Sequence, residues 1–448
     1  MSVISPQEND GVRLFEKLRT VETMEEIRDL FGAIEGPDPL GRRSLLIHKP
    51  TQACTYLLLA SVSAGLDARY EFEELCTDHI YCLDFSQVPS YAEPSKVNTL
   101  LPPPEDVPLV QSLNQMPDHL VKAVDDLIYH LDKSVMLRVR DVPHQSPGRV
   151  AVLFSGGIDS TVITFLAHKH IPLDEPIDLL NVAFENPRKI KLQAEGNPGG
   201  ISNKKKKARA KATESQEQAL HTSYNVPDRI SGLQEVEELR RLCPERVWNF
   251  VEINVPYEES QGARQTVESL MLPGRTVMDL SLALALYFAS RSVGQVRSSP
   301  GAEPEPYTST ARVLLNGLGS DELLGGYGRH RSAYKTGGWQ SVIEELQLEI
   351  DRIPTRNLGR DDRVISSHGK ETRHPFLSLT VLDFLARLPV HHKMDPRLEV
   401  GLGDKMLLRL AAWKLGLIEA SQRKKRAMQF GSHSARMDGE RKGDTLLE

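Results

Sequence analysis

The chain has 448 residues and a formal net charge of −6, with 40% hydrophobic and 26% charged residues. It is long enough to bury a sizeable core in more than one domain, and its slightly acidic balance excludes an argument from charge for general nucleic-acid binding. Four cysteines without a CxxC pair exclude a dense disulfide framework. We therefore expect a globular protein of a reducing compartment, the cytoplasm.

The N-terminal region, residues 1–105, closes at three consecutive prolines that we interpret as a linker. It has no basic segment followed by an apolar core, so we expect no signal peptide. Cys76, His79 and Cys82 have the spacing of a partial metal site, but no fourth ligand is evident, and the sequence favours no metal there. We expect no membrane partner, because the longest apolar run is too short to span a bilayer.

A strand and a glycine turn follow a predicted amphipathic helix. Residues 150–154 are short, apolar and β-branched, which is typical of a buried parallel strand. Ser155, Gly156 and Gly157 then form a tight turn, and a helix begins near Asp159. This arrangement directs backbone N–H groups and the positive end of a helix dipole at one point, which predicts a phosphate site. The turn is not a Walker loop, because no lysine follows the glycines at the required spacing.

Further strands are predicted at 177–184, 249–255 and 312–315, each separated from the next by helical sequence. Alternating strands and helices predict an α/β fold with a doubly wound parallel sheet. In such a sheet the ligand lies beyond the carboxyl ends of the strands. We assign this domain to residues 118–430.

Three polar stretches interrupt or follow the domain. Residues 187–224 contain the basic run Lys204–Lys211 and almost no large apolar residues, so we expect a disordered insertion. The basic run is read as a solvated loop, with nuclear targeting as the alternative. Residues 292–309 are a second predicted surface insertion, and 431–448 a predicted disordered tail.

A second glycine turn occurs in the segment LLNGLGSDELLGGY, residues 314–327. Asp321 and Glu322 are adjacent carboxylates that follow a strand and its turn. Beside a bound triphosphate they would be natural Mg²⁺ ligands, since this ion takes a few carboxylates together with phosphate oxygens. The alternative is that Asp321 only caps the helix that follows.

Several motifs together resemble known enzymes. SGGIDS resembles the pyrophosphate loop of the PP-loop ATP pyrophosphatases, which are adenine nucleotide alpha hydrolase-like. SGGIDS, SDELLGGY, TRHPFLS and GDKMLLRLAAWKLGL run in the order seen in the synthetase domain of asparagine synthetases. VPDR and NFVEINV are similar to the eukaryotic asparagine synthetase domain-containing proteins. The matching parts cover about residues 120–430, apart from the insertions.

The resemblance implies a site for ATP and Mg²⁺. The residues implied to border adenine or contact the phosphates are Leu153, Phe154, Ser155, Gly156, Gly157, Asp159, Ser160, Val182, Asn316 and Gly317. The implied metal ligands are Asp159, Asp321 and Glu322.

The resemblance also implies three catalytic residues. Lys405 matches the lysine that stabilises the charge on the departing pyrophosphate, a role suited to a positioned ammonium. Without the motif order, a surface lysine would be the simpler interpretation. Asp321 would bind both metal and pyrophosphate. Arg373 would hold a carboxylate substrate, or would pair with a neighbouring acid.

Two departures from the family pattern affect the predicted activity. Leu318 stands where the family has a glutamate that handles ammonia or the intermediate, and a leucine cannot accept a proton. The first region resembles a shortened type-2 glutamine amidotransferase, but removal of Met1 would expose Ser2 instead of the required cysteine. We therefore interpret residues 1–105 as a truncated α+β amidotransferase remnant without glutaminase activity.

The sequence supports two main hypotheses. The first is an asparagine synthetase-like ligase that activates aspartate, or another carboxylate, as an acyl-adenylate and forms an amide in asparagine biosynthesis. Its partners would be ATP, aspartate, and ammonia or glutamine, with a homodimer as a candidate assembly and no nucleic acid. The second is a nucleotide-binding scaffold that has lost ligase activity, which Leu318 and Ser2 favour. Other PP-loop reactions, such as tRNA thiolation, would require paired cysteines or a basic RNA-binding surface.

Overall fold

A computed structural model gives the fold, and the residues it describes are 45–49, 51, 58–60, 71–75, 107–140, 142, 150–185, 224–299, 301–437 and 443–447. The chain divides into two units, and residues 1–41 with 76–94, which form the first, lie outside the described part. Every element below belongs to the second unit, 42–75 with 95–448. Predicted features outside the described residues are Ser2, Cys76, His79, Cys82, the Lys204–Lys211 run and the insertion up to residue 223.

A small antiparallel sheet lies in the N-terminal region. Its central strand β1, Leu46–His48, pairs with β2, Leu58–Ala60, on one side and with β3, Phe72–Glu74, on the other. All three residues of β1 are buried. The assignment of residues 1–105 as an amidotransferase remnant stays a prediction.

The main sheet has seven strands in the described part of the chain, in the order β10-β9-β4-β5-β6-β7-β8. Their bounds are β4 Val150–Leu153, β5 Ile177–Phe184, β6 Trp248–Val255, β7 Val293–Val296, β8 Glu305–Thr308, β9 Val313–Leu315 and β10 Glu371–Arg373. The five strands from β10 to β6 are parallel, whereas β7 and β8 are antiparallel. The predicted α/β class is confirmed, but the sheet is mixed and not wholly parallel.

The antiparallel strands come from residues 292–309, the predicted surface insertion. Instead of an irregular loop, this segment forms a hairpin that continues the sheet beyond β6. Gly294 permits the contact, because a Cβ atom there would lie 2.5 Å from the carbonyl oxygen of Glu252. A strand without a side chain at that point can therefore approach β6 closely enough to pair.

Helices cover the sheet and extend from its edges. Their bounds are α1 Asp118–Val139, α2 Ile158–His168, α3 Pro227–Leu242, α4 Tyr257–Met271, α5 Val277–Arg291, α6 Ser320–Leu324, α7 Gly328–Ile353, α8 Gly359–Ser366, α9 Leu379–Arg387, α10 Val390–Lys393, α11 Met406–Lys414, α12 Ile418–Ser421 and α13 Met428–Gly431. A π-helical turn, Pro354–Leu358, joins α7 to α8. No helix in the described ranges combines the length and the apolar sequence that crossing a bilayer requires.

The main core lies between the sheet and α5. Every residue of β5 is buried, as expected for a strand covered on both faces. α5 begins with a capping box between Thr276 and Asp279 and packs Leu284 and Phe288 into the same core. The site is therefore built on the ends of strands that the core holds rigidly.

Strand order determines where the ligand-binding loops lie. β4 is central, and the chain adds β5 and β6 on one side before it adds β9 and β10 on the other. The side on which the chain adds strands to the sheet therefore changes between β4 and β9, which are adjacent and parallel. A reversal of this kind opens a crevice at the carboxyl ends of the two strands. The two predicted glycine turns follow these strands directly.

The described parts of the polar segment after residue 430 are structured, which corrects the prediction of an unstructured tail. Gly431 ends α13, and a 3₁₀ turn follows at Ser434–Arg436. Farther on, the carbonyl of Gly443 accepts from the Met278 N–H at 2.9 Å, and that of Thr445 from the Val277 N–H at 2.9 Å. The first N–H groups of a helix lack partners within it, so this segment satisfies those of α5.

The small sheet contacts the main domain through a buried ion pair. Glu74, at the end of β3, pairs with Arg363 of α8 at 2.5 Å, and their side chains are 7% and 1% exposed. Gly359 leaves room for the carboxylate, since a Cβ there would lie 2.3 Å from Glu74 Oε2. We expect Glu74→Gln to lower the free energy of unfolding by about 3 kcal/mol, because it removes the carboxylate charge from a buried ion pair.

The neighbouring acid provides a matched control for that prediction. Glu73 pairs with Lys49 on the surface, where both side chains are about two-thirds exposed. Glu73→Gln should therefore cost less than about 1 kcal/mol. Denaturant unfolding of both variants checks this, and equal midpoints for the two would show that the Glu74 pair does not hold the sheet.

Candidate functional site

The two glycine turns lie side by side at the carboxyl ends of β4 and β9. A Cβ atom on Gly317 would lie 2.8 Å from the Cβ of Asp159, so the absence of a side chain at 317 lets the turns touch. Lys405 connects them: its Nζ lies 2.6 Å from Asp159 Oδ2 and 2.7 Å from Asp321 Oδ1. The ammonium also donates to Ser320 Oγ at 2.9 Å. Three segments distant in sequence thus converge on one nitrogen atom.

Lys405 is buried, so the interpretation as a surface lysine is wrong, and its catalytic role stays a prediction. It is 1% exposed and precedes α11 in the left-handed region, with φ of 52°. Burial by itself lowers the pKa of Lys405, but the carboxylates of Asp159 and Asp321 outweigh it, and the pKa is raised above its usual value. The side chain therefore stays charged. A non-glycine residue in this conformation costs about 1 kcal/mol or more, a strain that is commonly kept at functional sites.

The two adjacent carboxylates after β9 have different environments. Burial raises the pKa of Asp321, but Lys405 and Lys425 reverse this and bring the pKa below its usual range. Glu322 is 2% exposed and accepts a hydrogen bond from the Tyr327 hydroxyl. Burial and the charge of Asp321 raise the pKa of Glu322. Glu322 lines neither cavity of the site, so this structure does not support its predicted role as a metal ligand.

A cavity of about 370 Å³ opens beside the turns. It is lined by eight of the ten residues predicted to contact the nucleotide, namely Leu153, Phe154, Ser155, Asp159, Ser160, Val182, Asn316 and Gly317, and by Asp321. Apolar side chains of α5, among them Leu282 and Leu286, form a further wall. One region of the cavity is thus suited to a flat apolar ring, and another to charged groups.

A second cavity, of about 180 Å³, lies against the first turn. Its lining includes Gly156 and Gly157, the two predicted residues that do not line the larger cavity. The lining residues that both cavities share are Ser155, Asp159, Asp228, Lys425 and Arg426. The cations of the smaller cavity are Lys405, Arg409, Arg423, Lys424, Lys425 and Arg426. Such a surround, at the N-terminus of the eleven-residue helix α2, favours a multiply charged anion.

Arg373 lies away from these cavities, which corrects its predicted role. Its Nε donates to Glu371 Oε1 at 3.0 Å, and its Nη1 donates to the Arg138 carbonyl at 2.6 Å. It lines neither cavity. The alternative interpretation, pairing with a neighbouring acid, describes the observed geometry, because Glu371 lies two residues away on the same strand, β10.

Sequence reasoning missed Asp228 and the cations of residues 423–426. Asp228 lies in the first turn of α3 and is held by Asn181, whose amide donates to the carbonyls of Phe154 and Asp228 at 2.9 and 3.0 Å. The run QRKKR, residues 422–426, was the available signal for the cations. For Asp228 the signal was the VPDR motif, which was read only as a family marker.

Asp228 is an acid whose protonation depends on the fold. It is 7% exposed, and burial raises its pKa to about 7 although Arg426 and Lys425 oppose the shift. An acid that is buried and raised in pKa beside a cavity is typical of a functional position. Near neutral pH it can carry a proton and donate a hydrogen bond to an anion.

This pKa predicts a pH dependence of stability. Because the folded pKa of Asp228 lies above the unfolded value, the folded state binds the extra proton, and this contribution is lost as pH rises from about 4 to 7. Asp228→Asn cannot ionise, so we expect it to exceed the wild type in stability at pH 8 by on the order of 3 kcal/mol and to match it at pH 4. Thermal unfolding across this range checks the prediction; parallel curves for the two proteins would contradict it.

The protein donors of the site are too few to hold a metal ion by themselves. Among the described residues, no group of three or more His, Cys, Asp and Glu could by itself hold a metal ion. Asp159 and Asp321 nevertheless face the cavity together. Two carboxylates are the usual protein contribution for Mg²⁺ when phosphate oxygens supply further ligands. These residues fit a metal that arrives with its nucleotide.

The comparisons with known proteins agree with the class that this fold and site define, an asparagine synthetase-like domain. The family model for asparagine synthase matches residues 126–222 and 333–443. A human asparagine synthetase domain-containing protein 1 is 43% identical over 368 residues, covering 80% of this chain and 56% of that protein. A Saccharomyces cerevisiae asparagine synthetase domain-containing protein is 32% identical over 474 aligned positions, covering 99% of this chain and 80% of that protein.

The chain therefore belongs to the asparagine synthetase domain-containing protein family. It spans about half the length of the human relative and four-fifths of the yeast one. A shorter match is to a protein of Methanocaldococcus jannaschii named putative asparagine synthetase [glutamine-hydrolyzing] 1, which is 37% identical over 84 residues, 19% of this chain and 16% of that protein.

Proposed function

We propose that this chain is an ATP-dependent carbon–nitrogen ligase of the asparagine synthetase type, built on a doubly wound PP-loop fold. It activates aspartate, or another carboxylate, as an acyl-adenylate with release of pyrophosphate, and then forms an amide. The observation that carries the proposal is the bridge of Lys405 between Asp159 and Asp321. It joins the two turns at the strand reversal, where an α/β sheet binds its ligand.

The apolar part of the larger cavity is suited to adenine. Leu153, Phe154 and Val182 come from the ends of β4 and β5, and Leu286 and Met428 also line this cavity. The α-phosphate would then lie near Ser155 and Asp159, because both line the two cavities. The β- and γ-phosphates would occupy the smaller, basic cavity.

Residues Asp159 and Asp321 would hold Mg²⁺ when ATP is bound. The ion supplies charge neutralisation on the phosphates. Lys405 contributes a fixed positive charge from a buried position, where an electrostatic interaction is stronger than in water. Because the ammonium is already oriented, little reorganisation is needed as charge develops on the leaving pyrophosphate.

Leu318 bears on the second half of the reaction, amide formation. Leu318 lines the larger cavity at the place where the resemblance expects a glutamate. An apolar side chain there cannot orient or deprotonate ammonia, so another group must do so or the acyl-adenylate has another fate. The same observation favours the second candidate function, a nucleotide-binding scaffold that no longer ligates.

Pyrophosphate release separates these functions. The full chain is incubated with Mg·ATP and L-aspartate, with ammonium or with glutamine as the nitrogen source. Release with ammonium and none with glutamine is expected for a ligase whose glutaminase is absent. Binding of Mg·ATP without release under either condition would support the scaffold and reject the ligase.

A further inference from the structure

A third cavity lies outside the candidate functional site, between α3, β6 and the β7–β8 hairpin. Its volume is about 450 Å³, within the range of cavities that hold small molecules. The side chains that define it are Leu233, Glu237 and Arg240 of α3, Phe250 and Glu252 of β6, and Arg297, which follows β7. None of them lines the two cavities beside the glycine turns. A molecule bound here would therefore use none of the contacts assigned to the nucleotide.

The ion pairs beside this cavity leave one positive charge in excess. Glu252 accepts from Arg229 Nη1 at 3.0 Å and from Arg297 Nε at 2.9 Å, so one carboxylate faces two guanidiniums. Burial lowers the pKa of Arg229 to about 10, a shift that Glu252 opposes and Arg297 adds to, so Arg229 stays charged at neutral pH. The remaining pair, Arg240 with Glu237, is neutral as a unit. The cavity thus favours a single negative charge.

Arg297 retains hydrogen-bond donors for such a charge. Its Nε donates to Glu252, and its Nη1 donates to the carbonyl of Ala302 at 2.5 Å. Its Nη2 has no acceptor within the described ranges, and the side chain is 20% exposed. A guanidinium matches a carboxylate in a planar geometry with directed hydrogen bonds. Arg297 is therefore suited to a carboxylate that enters the cavity from solvent.

Apolar groups lie in the same cavity. Leu233 is 42% exposed on α3. The ring of Phe250 packs against the same helix, where a Cβ atom on Gly232 would lie 3.0 Å from Phe250 Cε2. An apolar ring placed over Leu233 and Phe250 would remove their surface from water, which favours binding. The cavity thus combines a surface for a ring with donors for an anion.

We propose that this cavity is a second ligand site, specific for a small molecule that joins an apolar ring to one carboxylate. The carboxylate pairs with Arg297, and the ring packs on Leu233 and Phe250. A phosphate monoester is disfavoured, because it brings about two negative charges into a cavity that also holds Glu237 and Glu252. No chemical step is assigned to this site.

The test uses cinnamate as the probe and cinnamamide as its uncharged counterpart. In a ligand-observed NMR titration of the full chain, cinnamate should bind with a dissociation constant on the order of 1 mM. Cinnamamide and phenyl phosphate should each bind at least about fivefold more weakly. Equal binding of cinnamate and cinnamamide would overturn the inference, as would tighter binding of phenyl phosphate.

Two arginine variants show whether the probe binds at this cavity. Arg297→Gln should bring cinnamate and cinnamamide within about twofold of each other, by weakening cinnamate alone. Arg241 is the matched control, because it follows Arg240 on α3, pairs with Glu419, is 60% exposed and lines none of the three cavities. Arg241→Gln should keep the preference for cinnamate. A wild-type preference in Arg297→Gln would overturn the inference.

A third variant should bind the probe more tightly, which a loss of folding cannot imitate. Glu237 is 42% exposed, and Glu237→Gln removes a negative charge from the lining and leaves Arg240 without its partner. Cinnamate should then bind about threefold more tightly, while cinnamamide changes little. Unchanged or weaker binding of cinnamate would contradict the proposal. The thermal midpoint of each variant shows that it is folded.

Failure of this inference is distinguishable from failure of the proposed function. With Mg²⁺ and a saturating non-hydrolysable ATP analogue, cinnamate should still bind, because the cavities share no lining residue. Displacement of cinnamate by the analogue would place the probe in the nucleotide cavity and overturn the inference. If the analogue does not bind, the ligase proposal fails, whereas Arg297→Gln and Glu237→Gln still decide the second site.

Discussion

Replacement of Lys405 by methionine should lower ATP-dependent pyrophosphate release by at least about a hundredfold. The substitution removes the charge that bridges Asp159 and Asp321 and keeps a side chain of similar length. It should also lower the free energy of unfolding by about 3 kcal/mol, because two partly buried carboxylates, whose side chains are 21% and 14% exposed, lose a shared counter-ion. Pyrophosphate release is measured at saturating Mg·ATP, so that weaker nucleotide binding does not account for the loss.

A second lysine near Lys405 in sequence separates this effect from a general loss of charge. Lys414, at the end of α11, pairs with Asp125 on the surface, and its side chain is 42% exposed. Lys414→Met should release pyrophosphate at the wild-type rate. Lys405→Arg keeps the charge, so it should be folded and retain more activity than Lys405→Met. Wild-type release by Lys405→Met would remove the lysine from the mechanism.

The second large effect is expected at Gly156. Its φ of 71° disfavours any side chain, and a Cβ there would lie 2.3 Å from the backbone nitrogen of Gly232 in α3. Gly156→Ala should therefore lower the free energy of unfolding by about 3 kcal/mol or more and abolish nucleotide binding, since backbone cannot shift as a flexible side chain can.

The adjacent glycine is the control for this substitution. Gly157 has φ of −83°, and a Cβ there would meet only Ser155 Oγ, at 3.3 Å. Gly157→Ala should fold with a midpoint close to that of the wild type, even if the added methyl group weakens the binding of an anion. Denaturant midpoints are compared for both variants. If the two alanine substitutions lower the free energy of unfolding equally, contact between the turn and α3 is not the reason that position 156 needs a glycine.

Local sequence was sufficient to find the two turns but not the contacts between them. SGGIDS and SDELLGGY each combine glycines and polar groups within a few residues, so their geometry is visible in the sequence. The position of Lys405 came from motif order alone, since 246 residues separate it from Asp159. The charge of Asp228 depends on burial and on cations from another segment, which no local pattern reports.

The predictions that the structure does not support have similar causes. The sequence does not show that Arg373 pairs with Glu371, which lies on the same strand. Glu322 was grouped with Asp321 because the two are adjacent, although successive helical residues point in different directions and Glu322 turns toward Tyr327. The β7–β8 hairpin was missed because its strands are short and contain no buried residue, with Pro306 inside one of them.

The central claim is that the two turns jointly bind the polyphosphate of a nucleotide. Calorimetric titration of Mg·ATP into the wild type, Asp159→Asn, Asp321→Asn and the double variant tests it most directly. The account predicts that each single variant binds about tenfold more weakly, and that the double variant loses less than the two effects combined, because both acids act through Lys405. Wild-type affinity in either single variant would contradict the claim.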